Sequence, residues 1–286
     1  ACGGEVHSNH TWPDRCVWWD EVGNPRGWCS RCGQVFRPHQ RDKEFMTPEV
    51  LARHQKQREA DLRRQQAETD RNRLRLAEFT TTQLYDEIHR RMNSEQKQWW
   101  TGRGIEEKWQ DFWSLGWVAD KTFQTGPEEF THSPAYTIPI FEIGRQFVNM
   151  QYRAANDLPD HSRYRFEFPK SETPFIARPD LTLDVDFVVI VEGSAKGMVC
   201  YPHLYSHLDR SDTFQVIAVP SVNWWCSLAD RLKPETKKYV MLDPDSLTPP
   251  RRAPASWEPY PLKLCKEFEH NAYLGELPGK PDDLIL

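Results

Sequence analysis

The chain has 286 residues, 38% of them hydrophobic and 28% charged, which is too long for one small domain and suits two or three with real cores. It has no run of about 18 apolar residues and no signal-peptide pattern, which argues against a membrane span or secretion and gives the expectation of a cytoplasmic protein with no membrane partner. The formal charge of -5 does not by itself point to a nucleic-acid partner, yet basic residues are dense between Arg53 and Arg103 while acids gather toward the C-terminal half, a distribution that suits phosphate binding in one place and metal binding in another.

Residues 1–40 read as a metal-stapled module, a zinc ribbon. In GWCSRCGQVF, Cys29 and Cys32 form a CxxCG knuckle: two thiolates take adjacent corners of a tetrahedral Zn²⁺, and the glycine permits the tight turn. Cys2, in CGG, suggests a second knuckle whose usual partner would stand just before the first residue given, as in a fragment of a longer chain. His7, His10 and Cys16 are the alternatives for the fourth ligand, and His7 is preferred for its proximity to Cys2. Seven cysteines, four of them in the first 32 residues, fit a reduced compartment and a local Zn²⁺ site better than a disulfide framework. A segment this poor in Leu, Ile and Val needs a staple. Trp12, Trp18, Trp19 and Trp28 are read as its core, with stacking on single-stranded bases as the alternative.

From Thr47 to about Phe79 the chain is free of glycine, and Thr47 and Pro48 supply a cap and a first-turn proline. Eight basic and six acidic residues interleave there over a sparse apolar stripe, so residues 41–80 read as a solvated helical linker.

Residues 81–184 begin with a second helical stretch around TTQLYDEIHRRM and continue as WWTGRGIEEKWQDFWSLGWVADK. The aromatic pair, the Arg-Gly-Ile element two residues on, a short helix with Phe, and Leu-Gly-aromatic before Asp resemble the opening of the catalytic core of bacterial-type (DnaG-like) replicative primases, found also in phage and plasmids. Next, YTIPIFEIGRQFVNMQYRAAN reads as two short strands about a Gly144 turn, and HSRYRFEF follows a polar loop. The resemblance holds here too, with an arginine on the second strand and a basic residue beside a tyrosine. It implies that Arg103 lines a basic active-site surface and that Arg153, Arg163 and Tyr164 hold template or nucleotide phosphates, which the planar guanidinium suits. The alternation in QYRAAN is equally consistent with a solvated Arg153.

In residues 185–286, DFVVIVEG and KKYVMLDPDS are apolar runs that stop at acids, with FQVIAVP between them and helix-compatible segments on either side. That alternation predicts parallel strands joined by crossovers, with Glu192, Asp243 and Asp245 converging at the carboxyl edge of the sheet. Like charges there need a cation, and hard oxygen ligands suit Mg²⁺ or Mn²⁺. The Glu-Gly and Asp-x-Asp pattern resembles the TOPRIM domain shared by primases, topoisomerases and some nucleases. NAYLGELPGKPDDLIL is similar to that domain's closing motif: a fourth strand, then Lys280, Asp282 and Asp283 in secondary nucleic-acid-binding roles. Many such proteins carry an acid where this chain has Lys196, which becomes a nucleic-acid contact and puts the number of catalytic metals in question. Cys200, Cys226 and Cys265 read as small buried residues.

The fold class expected is multidomain α+β: zinc ribbon, helical linker, mixed primase N-terminal subdomain at 81–184, and α/β TOPRIM domain with a parallel sheet at 185–286. The resemblance implies an RNA primase acting on single-stranded DNA and NTPs, with structural Zn²⁺ and catalytic Mg²⁺ or Mn²⁺, and a replicative helicase supplied in trans. A TOPRIM nuclease and a catalytically weak single-stranded-DNA or replication-partner binding protein are the alternatives; a type I topoisomerase lacks room for its gate domains.

Overall fold

A computed structural model of the chain describes residues 48–126, 128–159, 162–168, 174–208, 213–220, 229–249, 258–268 and 271–275, and the backbone of 27–28 and 35–36. Two compact units are present, Ala1–Arg71 and Asn72–Leu286. The first holds a two-stranded antiparallel ladder, β1 (Gly27–Trp28) with β2 (Val35–Phe36), and the first part of helix α1. Helix α1 (Pro48–Thr82) has 35 residues and is therefore about 50 Å long. Where described, its side chains as far as Arg75 are exposed or half-buried, and pairs such as Arg64–Asp61 at 3.0 Å line its surface. Among its described side chains the first apolar one to be buried is Phe79, which stacks on Phe147 with centroids 5.5 Å apart.

In the second unit, α2 (Leu84–Arg90), α3 (Ser94–Thr101) and α4 (Glu107–Phe112) precede an antiparallel sheet. Helix α3 opens with a capping box: the Gln96 amide donates to the Asn93 side chain, and the Asn93 amide donates to the Gln96 side chain. The sheet has the order β3 (Gly116–Gln124), β4 (Phe130–Glu142), β5 (Gln146–Ala154), β6 (Tyr164–Phe166). The two strands expected about Gly144 are thus 13 and 9 residues long, and β3 extends the sheet on the far side of β4. Gly144 and Arg145, both at positive φ, make the tight β4–β5 turn.

A second sheet has the order β11 (Ala272–Leu274), β10 (Lys237–Val240), β8 (Phe187–Glu192), β9 (Phe214–Val219), β7 (Phe175–Ile176). The pairings β11–β10, β10–β8 and β8–β9 are parallel, as the strand–helix alternation predicts. The strands of residues 185–286 are thus parallel as expected, and β7, from just before that range, adds an antiparallel edge beside β9. Phe175 and Ile176 are an isolated two-residue strand, too short to show a period. Helix α5 (Ser194–Leu208) crosses from β8 to β9, and α6 (Tyr260–Glu267) precedes β11. A Cβ on Gly197 would lie 2.9 Å from that of Ala218, so the glycine is what lets α5 lie close on β9. One apolar core joins the two sheets and includes Trp100, Trp113, Ile138, Val191 and Val216. The Trp113 indole N–H donates to the Ala177 carbonyl at 2.8 Å, so this large ring is buried with its polar atom satisfied.

Candidate functional site

The acidic edge is built by the ends of β8 and β10. Strand β8 closes at Glu192, and Gly193 follows at φ 84, a left-handed turn that a side chain would strain. The Gly193 amide donates to the Val219 carbonyl at 2.8 Å, which pins the turn to β9 before α5 begins. On the adjacent strand Val240 stands opposite Ile190, and the Met241 amide donates to the Ile190 carbonyl at 2.8 Å. Continuing that register, Leu242 comes level with Glu192 and Asp243 lies one residue beyond. Paired strands are about 4.8 Å apart, so the two acid-bearing strand ends emerge side by side at the carboxyl edge.

What faces Asp243 there is a cation of the chain itself. Lys196, in the first turn of α5, donates from Nζ to Asp243 Oδ2 at 2.6 Å, and the two side chains are only 15% and 8% exposed. Asp245 lies in the first turn of a short 3₁₀ helix (Pro244–Leu247) and is exposed. Among the described residues no group of three His, Cys, Asp or Glu side chains is gathered as a metal site. Of the three acids expected from the sequence to converge, Glu192 ends β8 and Asp243 lies three residues past the end of the adjacent β10, with an ammonium on Asp243, while Asp245 is exposed.

The basic surface is organised by one indole. Arg103 follows α3 and lies over Trp99 at 4.2 Å from the ring centroid; Arg153, on β5, lies over the same ring at 4.8 Å. Trp99 in turn stacks on Tyr136 at 3.7 Å and 13°. Register sets a row across all four strands of the antiparallel sheet: Trp117 opposite Tyr136, Tyr136 opposite Arg153, Arg153 opposite Tyr164. Burial raises the Tyr136 hydroxyl above its ordinary value of 10.0, while the charges of Arg153 and Arg103 pull it the other way. Among the described residues Arg153 enters no salt bridge; its guanidinium donates to the Ala154 carbonyl at 3.4 Å.

No protein-family model matches the chain, and no curated protein matches it. Solved structures do. The RNA polymerase domain of Mycobacterium tuberculosis primase DnaG superposes with a TM-score of 0.50 at 14% identity, covering 74% of this chain and 79% of that one. A DnaG primase catalytic domain bound to single-stranded DNA gives a TM-score of 0.50 at 14% identity over 76% and 75% of the two chains. The chain spans about half, 52%, of the Aquifex aeolicus primase structure with its zinc binding and RNA polymerase domains, at 16% identity, over 68% of its own length and with a TM-score of 0.45. The chain has the fold of the DnaG-type primase catalytic core.

Within that primase fold the described candidates fall into two groups, Glu192, Lys196, Asp243 and Asp245 at the parallel-sheet edge, and Arg103, Arg153, Arg163 and Tyr164 on or beside the antiparallel sheet. Arg163 reaches Asp157 at 3.4 Å, a pair whose carboxylate is 99% exposed, and Tyr164 on edge strand β6 is 42% exposed. Cys2, His7, Cys29 and Cys32, with the alternatives His10 and Cys16, lie outside the described residues, as do Cys226, Lys280, Asp282 and Asp283. Cys200 is buried and Cys265 half-buried. The residues missed from sequence are Trp99, Tyr136 and Trp117. Their only signal is the WW pair before the Arg-Gly-Ile element and single aromatics in β3 and β4, which local pattern cannot bring together.

Proposed function

We propose that the chain is a template-directed primase, joining NTPs into short RNA primers on single-stranded DNA. The observation that carries this reading is that Glu192 ends β8 and Asp243 follows, three residues on, the parallel neighbour β10, in a chain with the DnaG catalytic-core fold. The parallel sheet is read as a TOPRIM domain, with Glu192-Gly193 and Asp243-Pro244-Asp245 as its two motifs.

The donor set suits a hard divalent ion. Mg²⁺ is commonly held by one or two carboxylates together with water and substrate phosphates, so a three-acid cage is not required. Glu192 and Asp243 would hold Mg²⁺ or Mn²⁺, with Asp245 available from the adjoining turn. When bound, such an ion lowers the pKa of an attacking hydroxyl and neutralises charge on the departing pyrophosphate. Lys196 keeps the Asp243 carboxylate in one orientation at the edge and adds positive charge where the triphosphate enters. Arg103 and Arg153 bind phosphate oxygens of the template or the incoming nucleotide, and Tyr164 offers a ring on which a base stacks. The zinc module, with Cys2, His7, Cys29 and Cys32 as ligands, would contact template sequence, and a helicase acting in trans would deliver the strand.

Incubation with single-stranded template, labelled NTPs and Mn²⁺ tests the reading. Short RNA products are expected, and Glu192→Gln and Asp243→Asn should each lower their yield by at least about 100-fold, the loss typical of removing a group that stabilises the transition state. Degradation of the DNA without incorporation would replace the primase with a nuclease using the same acids. A second reading, a binding protein with weak catalysis, is favoured by the ammonium already seated on Asp243; it predicts bound template and no product.

A further inference from the structure

We propose that Trp99 is the positioning residue of the phosphate-binding surface, holding the guanidinium groups of Arg103 and Arg153 as a fixed pair that grips two neighbouring phosphate groups. The proposal rests on the reading of those arginines as phosphate ligands and adds what places them. The two arginines are fifty residues apart in the chain, one in the turn after α3 and the other on β5. Both lie over the Trp99 ring, at 4.2 and 4.8 Å from its centroid, so the cations are no farther from each other than those two distances together. Like charges brought this close repel in the absence of an anion, and the negative face of an indole offsets that repulsion.

The ring is itself immobilised. Tyr136 stacks on it at 3.7 Å, Trp100 meets it edge-on at 4.8 Å, and Trp99 packs against the core that joins the two sheets. Tyr136 is also the cross-strand neighbour of Arg153, so one stack reads out the position of β5 and passes it to the turn that bears Arg103. A rigid pair of forked donors matches consecutive phosphates of a single strand or the phosphates of a nucleoside triphosphate, and pre-ordering the arginines removes much of the entropy cost of closing on them. Trp99 needs no contact with the ligand.

The test measures binding of a labelled oligodeoxythymidylate by fluorescence anisotropy across a salt series, and of ATP by calorimetry, for the full chain and its variants. Thermal unfolding accompanies each variant to show that it is folded. Trp99→Leu should weaken binding by about tenfold, since each guanidinium loses an aromatic partner. Trp99→Phe, which keeps a π face, should stay within about threefold of wild type. In an Arg103→Ala/Arg153→Ala background Trp99→Leu should have no further effect, because the groups it positions are gone. A larger loss with the oligonucleotide identifies the template backbone as the ligand; a larger loss with ATP identifies the incoming nucleotide. Equal weakening by Trp99→Leu with and without the arginines, or wild-type affinity in Trp99→Leu, would overturn this proposal alone. If wild type binds neither probe, the primase reading falls with it.

Discussion

At the scale of single residues, the two polar contacts with opposite prospects are Lys196–Asp243 and Arg163–Asp157. Lys196 and Asp243 are both nearly out of solvent, 2.6 Å apart, and each compensates the cost of burying the other. Lys196→Met should therefore destabilise the fold by about 3 kcal/mol, because it leaves a carboxylate buried beside a methyl thioether. Urea unfolding of Lys196→Met, Asp243→Asn and the double variant checks this: the two effects should fail to add, the double variant costing less than their sum. A Lys196→Met midpoint equal to wild type would mean that the ammonium and carboxylate do not compensate each other. The Arg163–Asp157 pair, whose carboxylate is 99% exposed, is the contrasting case, and a double-mutant cycle of Arg163→Ala and Asp157→Ala should give it no more than about 0.5 kcal/mol.

At the scale of elements, Glu167 ties four of them together. It follows β6 directly and its side chain is 4% exposed; Arg75 from α1 meets it at 2.6 Å, and Lys121 from β3 forms a second, closer ion pair. Burial would raise the Glu167 carboxyl, but the hydrogen bonds from Lys121 and Tyr152 and the charge on Arg75 outweigh it and hold the group below its ordinary value of 4.5. Lys121 is pushed down in its turn by burial, against the pull of Glu167, so the pH dependence is set by the carboxylate, which collects three donors. A carboxyl with a lower pKa in the folded chain stabilises it fully above the ordinary value, and that contribution is lost as pH falls through the folded value. Stability should thus fall as the pH drops below the ordinary carboxylate value, and Glu167→Gln should both cost about 3 kcal/mol at neutral pH and flatten that fall. Equal acid sensitivity of wild type and Glu167→Gln in urea titrations would remove Glu167 from the account. None of this clustering is legible in the sequence, because Arg75, Lys121, Tyr152 and Glu167 belong to different elements and meet only through sheet register. The strand β8 is legible for the opposite reason: it is a short apolar run that stops at an acid, which is how a strand buried on both faces reads, whereas β10 is only the start of the apolar run that leads to Asp243. Arg103 and Arg153 show the boundary between the two cases, since their identity as candidates comes from local motifs and their convergence on Trp99 comes from the pairing of β4 with β5.

At the scale of the whole molecule, the division at Arg71 and Asn72 falls inside α1, a helix with no break there. A helix that crosses between compact units is held by whichever of its side chains are buried, not by its length. Among the described residues the three apolar cores lie in the second unit, and the first of α1 to join one are Leu76, half-buried, and Phe79, at 3% exposure. N-terminal to these, the described side chains make surface pairs worth about 0.3–0.5 kcal/mol each at most. A chain beginning at Asn72 keeps Arg75, Leu76 and Phe79 and should unfold cooperatively within about 1 kcal/mol of the same residues in the full chain. One beginning at Thr82 loses Phe79 from between Phe147 and Phe168 and also loses the Arg75–Glu167 pair. It should be less stable by about 4 kcal/mol, the usual cost of deleting a buried aromatic side chain. Urea unfolding of the two shortened chains, followed by near-ultraviolet circular dichroism of the buried tryptophans, separates the cases. If the chain from Thr82 were as stable as the chain from Asn72, Phe79 would not be part of the core and α1 would serve the second unit as a lead-in alone.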